Sequence, residues 1–249
     1  MSVIDDVLAT LPEGCVQEVR IGAFWAAVVT EVGGQRRCGL ATAMRGDDAH
    51  HHGGAAAVPD AGRLGEYSAL RLAALARSES ELEASVGVAA INSLLPAREE
   101  QWVDLNAEQV VVERGAGKRV AVIGHFPFIP RWRDIVGTLW VLEKRPRGED
   151  LPADACAEVL PLADIVAISG TTLINHTFEE LMTLCRPDAL VLVLGGSTPL
   201  SPVMFDYGVH ILSGSVVVST DAVLRAVSEG ANFRQVHPYG VRLVTMQRG

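Results

Sequence analysis

The sequence predicts an α/β protein in two parts: an N-terminal α+β unit over residues 1–112, and a mostly parallel sheet with helices on both faces over residues 113–249. Three observations carry this. Three β-rich runs near the N-terminus are separated by turns too short for a crossover, which makes them an antiparallel meander. From about residue 113, apolar β-like runs alternate with helical ones, as in parallel strands joined by helices. The change falls near Arg114, and 249 residues suffice for two modest cores.

In the first part, Ser2 and Asp5 are spaced as a capping box, and Ile4, Val7, Leu8 and Leu11 form one apolar stripe that Pro12 and Gly14 close. The meander is Val16–Ile21, Phe24–Val32 and Arg37–Thr42, divided by Gly22 and by Gly33-Gly34. A helix follows over Glu66–Arg77. A second starts at Ser80, boxed by Glu83, with Leu82, Val86, Ala89, Ala90 and Leu94 at helical spacing. Between meander and helices lies RGDDAHHHGGAAAVPDAG. Its His50, His51 and His52, beside Asp47 and Asp48, are metal-ligand types, but neighbouring side chains on an extended chain point alternately, so the stretch reads as a solvated loop.

In the second part the strands are Val120–Gly124, Thr138–Leu142, Ile165–Ser169, Leu190–Leu194 and His210–Ser213, with Val241–Met246 returning to the sheet edge. Helices fit near Pro152–Leu160, over Thr172–Leu184, after Ser201 as N-cap with Pro202 at N1, and over Asp221–Glu229, closed by Gly230.

Composition narrows the function classes. Lys and Arg number 21 against 30 Asp and Glu, a net charge of −9 with no dense basic run, which argues against a nucleic-acid partner. The start MSVIDDVL is acidic where a signal peptide would be basic, and the apolar run at 189–194 is too short to span a bilayer. A cytoplasmic protein without a membrane partner is expected. The four cysteines contain no C-x-x-C pair and read as buried, reduced thiols.

The strand ends carry the chemistry. They are Gly124-His125-Phe126, Glu143-Lys144, Ser169-Gly170-Thr171-Thr172, Gly195-Gly196-Ser197-Thr198 and Ser213-Gly214-Ser215. Small residues let backbone N–H groups approach a ligand, and a helix after such a turn adds its positive end, so a polar or anionic ligand is expected there. Each turn alone is ordinary strand-to-helix chemistry; the repetition gives it weight. His125 is the candidate for metal ligation or proton transfer. Asn175, placed one helical turn from Thr171, is a candidate ligand contact, whereas His210 and His237 read as structural. Glu143 stands about 20 residues beyond Gly124, where a dinucleotide fold uses an acid on ribose hydroxyls. Yet G-H-F-P-F lacks the G-x-G-x-x-G spacing and Pro127 cannot donate an N–H, which disfavours NAD and leaves S-adenosylmethionine less strongly excluded.

The segments GLATA (39–43), LEASVGVAAINSLL (82–95), VAVIGHFPF (120–128), ISGTTLINHTFEELM (168–182) and LGGSTPLSPVMFDYGVHILSG (194–214) resemble those of the bacterial and archaeal family called "putative heavy-metal chelation" proteins. The resemblance implies an enolase-N-terminal-like domain, then a Rossmann-like domain, with a site in the cleft between them. Carried onto this chain it points to Gly124, His125, Phe126, Ser169, Gly170, Thr171, Asn175, Gly195, Ser197 and Thr198, with Thr42 and Asn92 from the first domain. Two functions follow as expectations. One is binding of a small polar metabolite or chelated heavy metal in the cleft, with His125 on a transition-metal ion. The alternative is a transferase-like enzyme on a nucleoside-type ligand, with Glu143 on ribose and His125 as acid or base. A homo-oligomer is compatible with either.

Overall fold

The computed structural model describes residues 2–46, 56–103 and 105–249, so Asp47, Asp48 and His50–His52 lie outside the described residues. Among the described residues the strands form two sheets, and no helix is long and apolar enough to cross a membrane.

Helix α1 (Val3–Leu8) is capped as its sequence predicts: the Ser2 hydroxyl accepts from Asp5 N and the Asp5 carboxylate accepts from Ser2 N. That backbone bond and Arg77 hold the Asp5 carboxyl down at about 2. Strands β1 (Cys15–Ile21), β2 (Trp25–Val32) and β3 (Gln35–Thr42) form the antiparallel meander, with Gly33 and Gly34 in the tight turn between β2 and β3. The expected Glu66–Arg77 helix is broken into pieces, including α2 (Ala69–Ala73) and a 3-10 turn at Ala74–Arg77. Helix α3 (Glu81–Leu94) starts after Ser80 as predicted, but without the box. The Ser80 hydroxyl donates to Ala57 O, while Glu83 accepts from Ser78. Helix α3 is pressed against its neighbours at glycines: a Cβ on Gly39 would stand 2.2 Å from Ala89 O, and one on Gly87 1.9 Å from Ala76 N.

The chain then contributes β4 (Trp102–Val103) and α4 (Ala107–Arg114), both built onto the larger sheet. That sheet continues with β5 (Arg119–Ile123), helix α5 (Ile129–Arg133), β6 (Thr138–Glu143), β7 (Leu151–Pro152), α6 (Cys156–Val159) and β8 (Ile165–Ser169). It ends with α7 (Phe178–Leu184), β9 (Leu190–Leu194), α8 (Val203–Asp206), β10 (Ile211–Val217), α9 (Thr220–Ser228), α10 (Phe233–Val236) and β11 (Val241–Gln247). The order is β4-β11-β10-β9-β8-β5-β6-β7. The strands from β10 to β7 are parallel, while β11 and β4 pair antiparallel. Counting β5, β6 and β7 as the first three strands, this is the Rossmann order 3-2-1-4-5-6 with an antiparallel extension. The returning strand β11 is therefore not the edge; β4 covers part of it.

Two predicted helices differ. Thr172–Leu184 is not continuous: a 3-10 turn at Gly170–Leu173 ends before α7 because His176 takes a left-handed backbone, φ 56°. The His176 ring bonds Ser78 O at 2.9 Å, which holds this break against the small unit. Helix α8 starts one residue late, with Pro202 rather than Ser201 as its N-cap.

At the amino ends of the central strands, Asp164 accepts from Arg119 N, from the Arg119 guanidinium and from Arg186. These bonds hold its carboxyl well below the usual carboxylate range, the Arg119 side chain most of all. Since the folded value lies under the ordinary 3.8, the contribution is full above that pH and fades as pH falls through it. Replacing Asp164 by Asn is expected to lower Tm by about 2–4 °C at pH 7, with a shrinking difference below pH 4. Thermal melts across pH check this, and a pH-independent difference would refute it. Gly87→Ala is expected to cost about 1–3 kcal/mol by overpacking, measured by urea unfolding.

Candidate functional site

Strands β5, β8 and β9 end side by side beneath the small unit, and their turns open on a cleft of about 1810 Å³. That exceeds an ordinary small-molecule pocket of roughly 300–1,000 Å³, so one ligand need not fill it. It lies outside the carboxyl ends of the strands. The order reverses between β5 and β8, the place where doubly wound sheets hold ligands.

The cleft gathers most of the residues singled out from sequence. Gly124, His125 and Phe126 line it from the β5 turn, and Glu143 from the end of β6. Ser169, Gly170, Thr171 and Asn175 line it from the β8 turn, Gly195 and Ser197 from the β9 turn, and Thr42 from β3. Two stand behind the wall. Asn92 donates through Nδ2 to Leu40 O (2.9 Å) and Ser197 O (3.4 Å), joining the units from within. Thr198 is 1% exposed and packs where a Cβ on Gly170 would fall, 2.6 Å from its Oγ1.

The turns differ in detail from the expected anion cradle. Gly124 and Gly195 have φ of 106° and 115°, which favours glycine at both positions. Their N–H groups, however, are occupied: Gly124 N donates to Leu142 O and Gly195 N to Ser213 O, both at 3.0 Å. Thr171 N is taken by the Ser169 hydroxyl, and Thr198 N by Gly195 O. The α-helices after these turns, α5, α7 and α8, are short and begin well beyond the strand tips, while a 3-10 turn at Gly170–Leu173 starts directly at the tip of β8. Hydroxyls serve instead: Ser169 Oγ and Thr171 Oγ1 pair at 2.8 Å on the cleft wall.

His125 has a partner that sequence reasoning missed. Its Nδ1 lies 3.2 Å from Asp150 Oδ2. The Asp150 side chain is only 2% exposed, whereas the imidazole is 46% exposed. The same carboxylate accepts from Arg147 N, closing the turn that carries it. A carboxylate can only accept, so Nδ1 donates, and in the neutral ring Nε2 is the nitrogen that carries the lone pair. Asp150 sits 25 residues from His125, in a charged stretch where nothing local sets it apart.

Other polar groups on the walls include Cys156, Asp154 and Glu180. Burial, reinforced by Glu180 and Asp154, pushes the Cys156 thiol up to about 11, which keeps it protonated and a poor metal ligand near neutral pH. The expected buried thiols hold for Cys38 and Cys156, while Cys15 is exposed and Cys185 half-buried. Among the described residues no three His, Cys, Asp or Glu come together so as to hold a metal ion. A bare ion is therefore not fitted by these side chains alone. A metal arriving with its own chelator asks for one protein donor or none, and the His125–Asp150 pair has the form of a histidine ligand held by a carboxylate.

The chain resembles solved structures over almost its full length. A crystal structure of a protein with unknown function from the DUF364 family of Desulfitobacterium hafniense is 27% identical, covers 99% of this chain and 98% of its own, and superposes with a TM-score of 0.83. Another DUF364 protein of unknown function, from Pyrococcus horikoshii, shares the fold at 18% identity, with a TM-score of 0.79 and the same coverage. No curated protein matches. Residues 4–95 match the DUF4213 family and residues 106–246 the DUF364 family, both described as "Putative heavy-metal chelation". With its larger part and its fold matched in this way, the chain belongs to the DUF364 family.

Proposed function

We propose that the cleft binds a small polar metabolite or a chelated heavy metal, with His125 as the protein's own donor to the bound molecule. The observation that carries this is the His125–Asp150 pair, a solvent-facing imidazole oriented by a buried carboxylate, inside the cleft where turns from both units meet. Orientation of the ring by Asp150 fixes the tautomer and presents Nε2 as an acceptor or metal donor. Ser169 and Thr171 supply hydroxyls for carboxylate or phosphate oxygens of the metal's chelator, and Thr42 closes the opposite wall. The metal is cargo in this reading and enters with its chelating ligand.

A second reading, S-adenosylmethionine or another nucleoside-type ligand with Glu143 on ribose, is favoured by one observation. Glu143 lines the cleft at the end of the second strand of a Rossmann order. A thermal upshift with S-adenosylmethionine, and none with metal complexes, would select it.

The leading reading is tested by calorimetric titration of untagged protein with nickel(II)–citrate. Wild type is expected to bind, with His125→Ala weakening affinity at least tenfold and Asp150→Asn by about tenfold. Equal affinity in all three proteins would remove the pair from the site.

A further inference from the structure

We propose that the molecule bound in the cleft carries a planar aromatic ring that stacks on Phe126, an inference that rests on the cleft being the ligand site. The chain has few aromatic side chains, six Phe, four Trp and three Tyr, and builds its cores largely without them. Of its largest fully buried side chains, Trp132 and Phe178 are aromatic and the rest are Leu and Ile. Yet among the described residues Phe24, Trp25, Trp102, Phe126, Phe128 and Phe233 all line this one cleft. Phe24 is 51% exposed there. Of these, Phe24, Trp102, Phe126, Phe128 and Phe233 stay partly or fully exposed and forgo burial they would gain in the core, which marks a surface suited to being covered.

Phe126 is the best placed. Its ring spans the end of β8: a Cβ on Gly124 would stand 3.5 Å from one ring edge and a Cβ on Gly195 3.9 Å from the other. The Phe126 ring stacks on Phe128 at 5.2 Å and 5° between planes, and Phe128 leans on buried Trp132 at 4.5 Å. This tier holds Phe126 in place while leaving it partly exposed at the switch point of the sheet. On the wall of the small unit stand the 51%-exposed Phe24 ring and the edge of buried Trp25. A planar ring entered between these walls meets a stacking face on one side and further aromatic surface on the other.

Two nickel(II) complexes with the same metal, charge and pair of nitrogen donors isolate the ring: nickel–1,10-phenanthroline and nickel–ethylenediamine. Titrated into the untagged full chain, the phenanthroline complex is expected to bind about tenfold more tightly. Phe126→Leu, which keeps apolar volume but removes the ring, is expected to cut that affinity about five- to tenfold, while Phe126→Tyr retains it. Thermal melts confirm that both variants fold. Equal affinity of the two complexes, both lost in His125→Ala, would overturn the ring while leaving the cleft reading standing, and so would an unchanged phenanthroline affinity in Phe126→Leu. Failure of both complexes to bind wild type would overturn both readings.

Discussion

The seam that fixes everything at the cleft is one buried hydroxyl. Ser197 Oγ accepts from Thr42 N at 2.9 Å and donates to Thr42 Oγ1 at 3.1 Å, joining the last residue of the small sheet to the β9 turn of the large one. Ser197 is 2% exposed, so neither bond competes with bulk water and both retain their strength. Asn92 adds a second stitch by donating to carbonyls on both sides. Trp25 packs so tightly on the same turn that a Cβ on Gly196 would lie 2.8 Å from its ring. Because the contact is made of directional bonds and a close-packed ring, the distance between Thr42 and the strand ends is set within narrow limits. The cleft inherits its width from that seam.

The two ends of the large sheet are built on opposite electrostatic terms. At the amino ends, Asp164 satisfies two guanidinium groups and a backbone N–H, so charge is neutralised locally and the strands are tied. At the carboxyl ends, Gly124 N, Thr171 N, Gly195 N and Thr198 N are satisfied by neighbouring strands and turns, and the side chains facing the cleft include an imidazole, two paired hydroxyls and a carboxylate. The first end contributes stability. The second presents polar side chains to the cleft. Clamps reach across from the small unit to hold the arrangement, with Glu179 accepting from Val3 N and Tyr207 donating to Asp6. The latter bond pushes the Tyr207 hydroxyl up to about 12.

What the sequence made legible was governed by local physics. The meander, with its Gly33-Gly34 turn, and the apolar strands Ile165–Ser169 and Leu190–Leu194 were readable because their patterns are decided by residues close in the chain. Short elements were not. Helix α5 has five residues, with proline in its first turn, and β4 two residues that become a strand only through pairing with β11. The helix expected over Thr172–Leu184 failed because a contact 98 residues away, between His176 and Ser78, decides the backbone at His176. The same limit applies to chemistry. His125 could be named from its place after a strand, whereas Asp150 acquires meaning only when folding buries its carboxylate beside the ring. Thr198 and Asn92 carry plausible ligand-binding groups, yet packing turns them inward to support the walls.

The glycines at the strand tips show how one sequence feature can be read two ways until the hydrogen bonds are known. Gly-rich turns after parallel strands ordinarily mean that backbone N–H groups are left for phosphate. Here Gly124 and Gly195 donate theirs back to the sheet, so left-handed backbone at these points does something else: it turns the chain sharply on either side of the Phe126 ring. The crevice thus sets an aromatic tier beside an oriented imidazole at the switch point of the sheet. In the proposed reading, recognition falls to ring stacking, hydroxyls and one nitrogen lone pair.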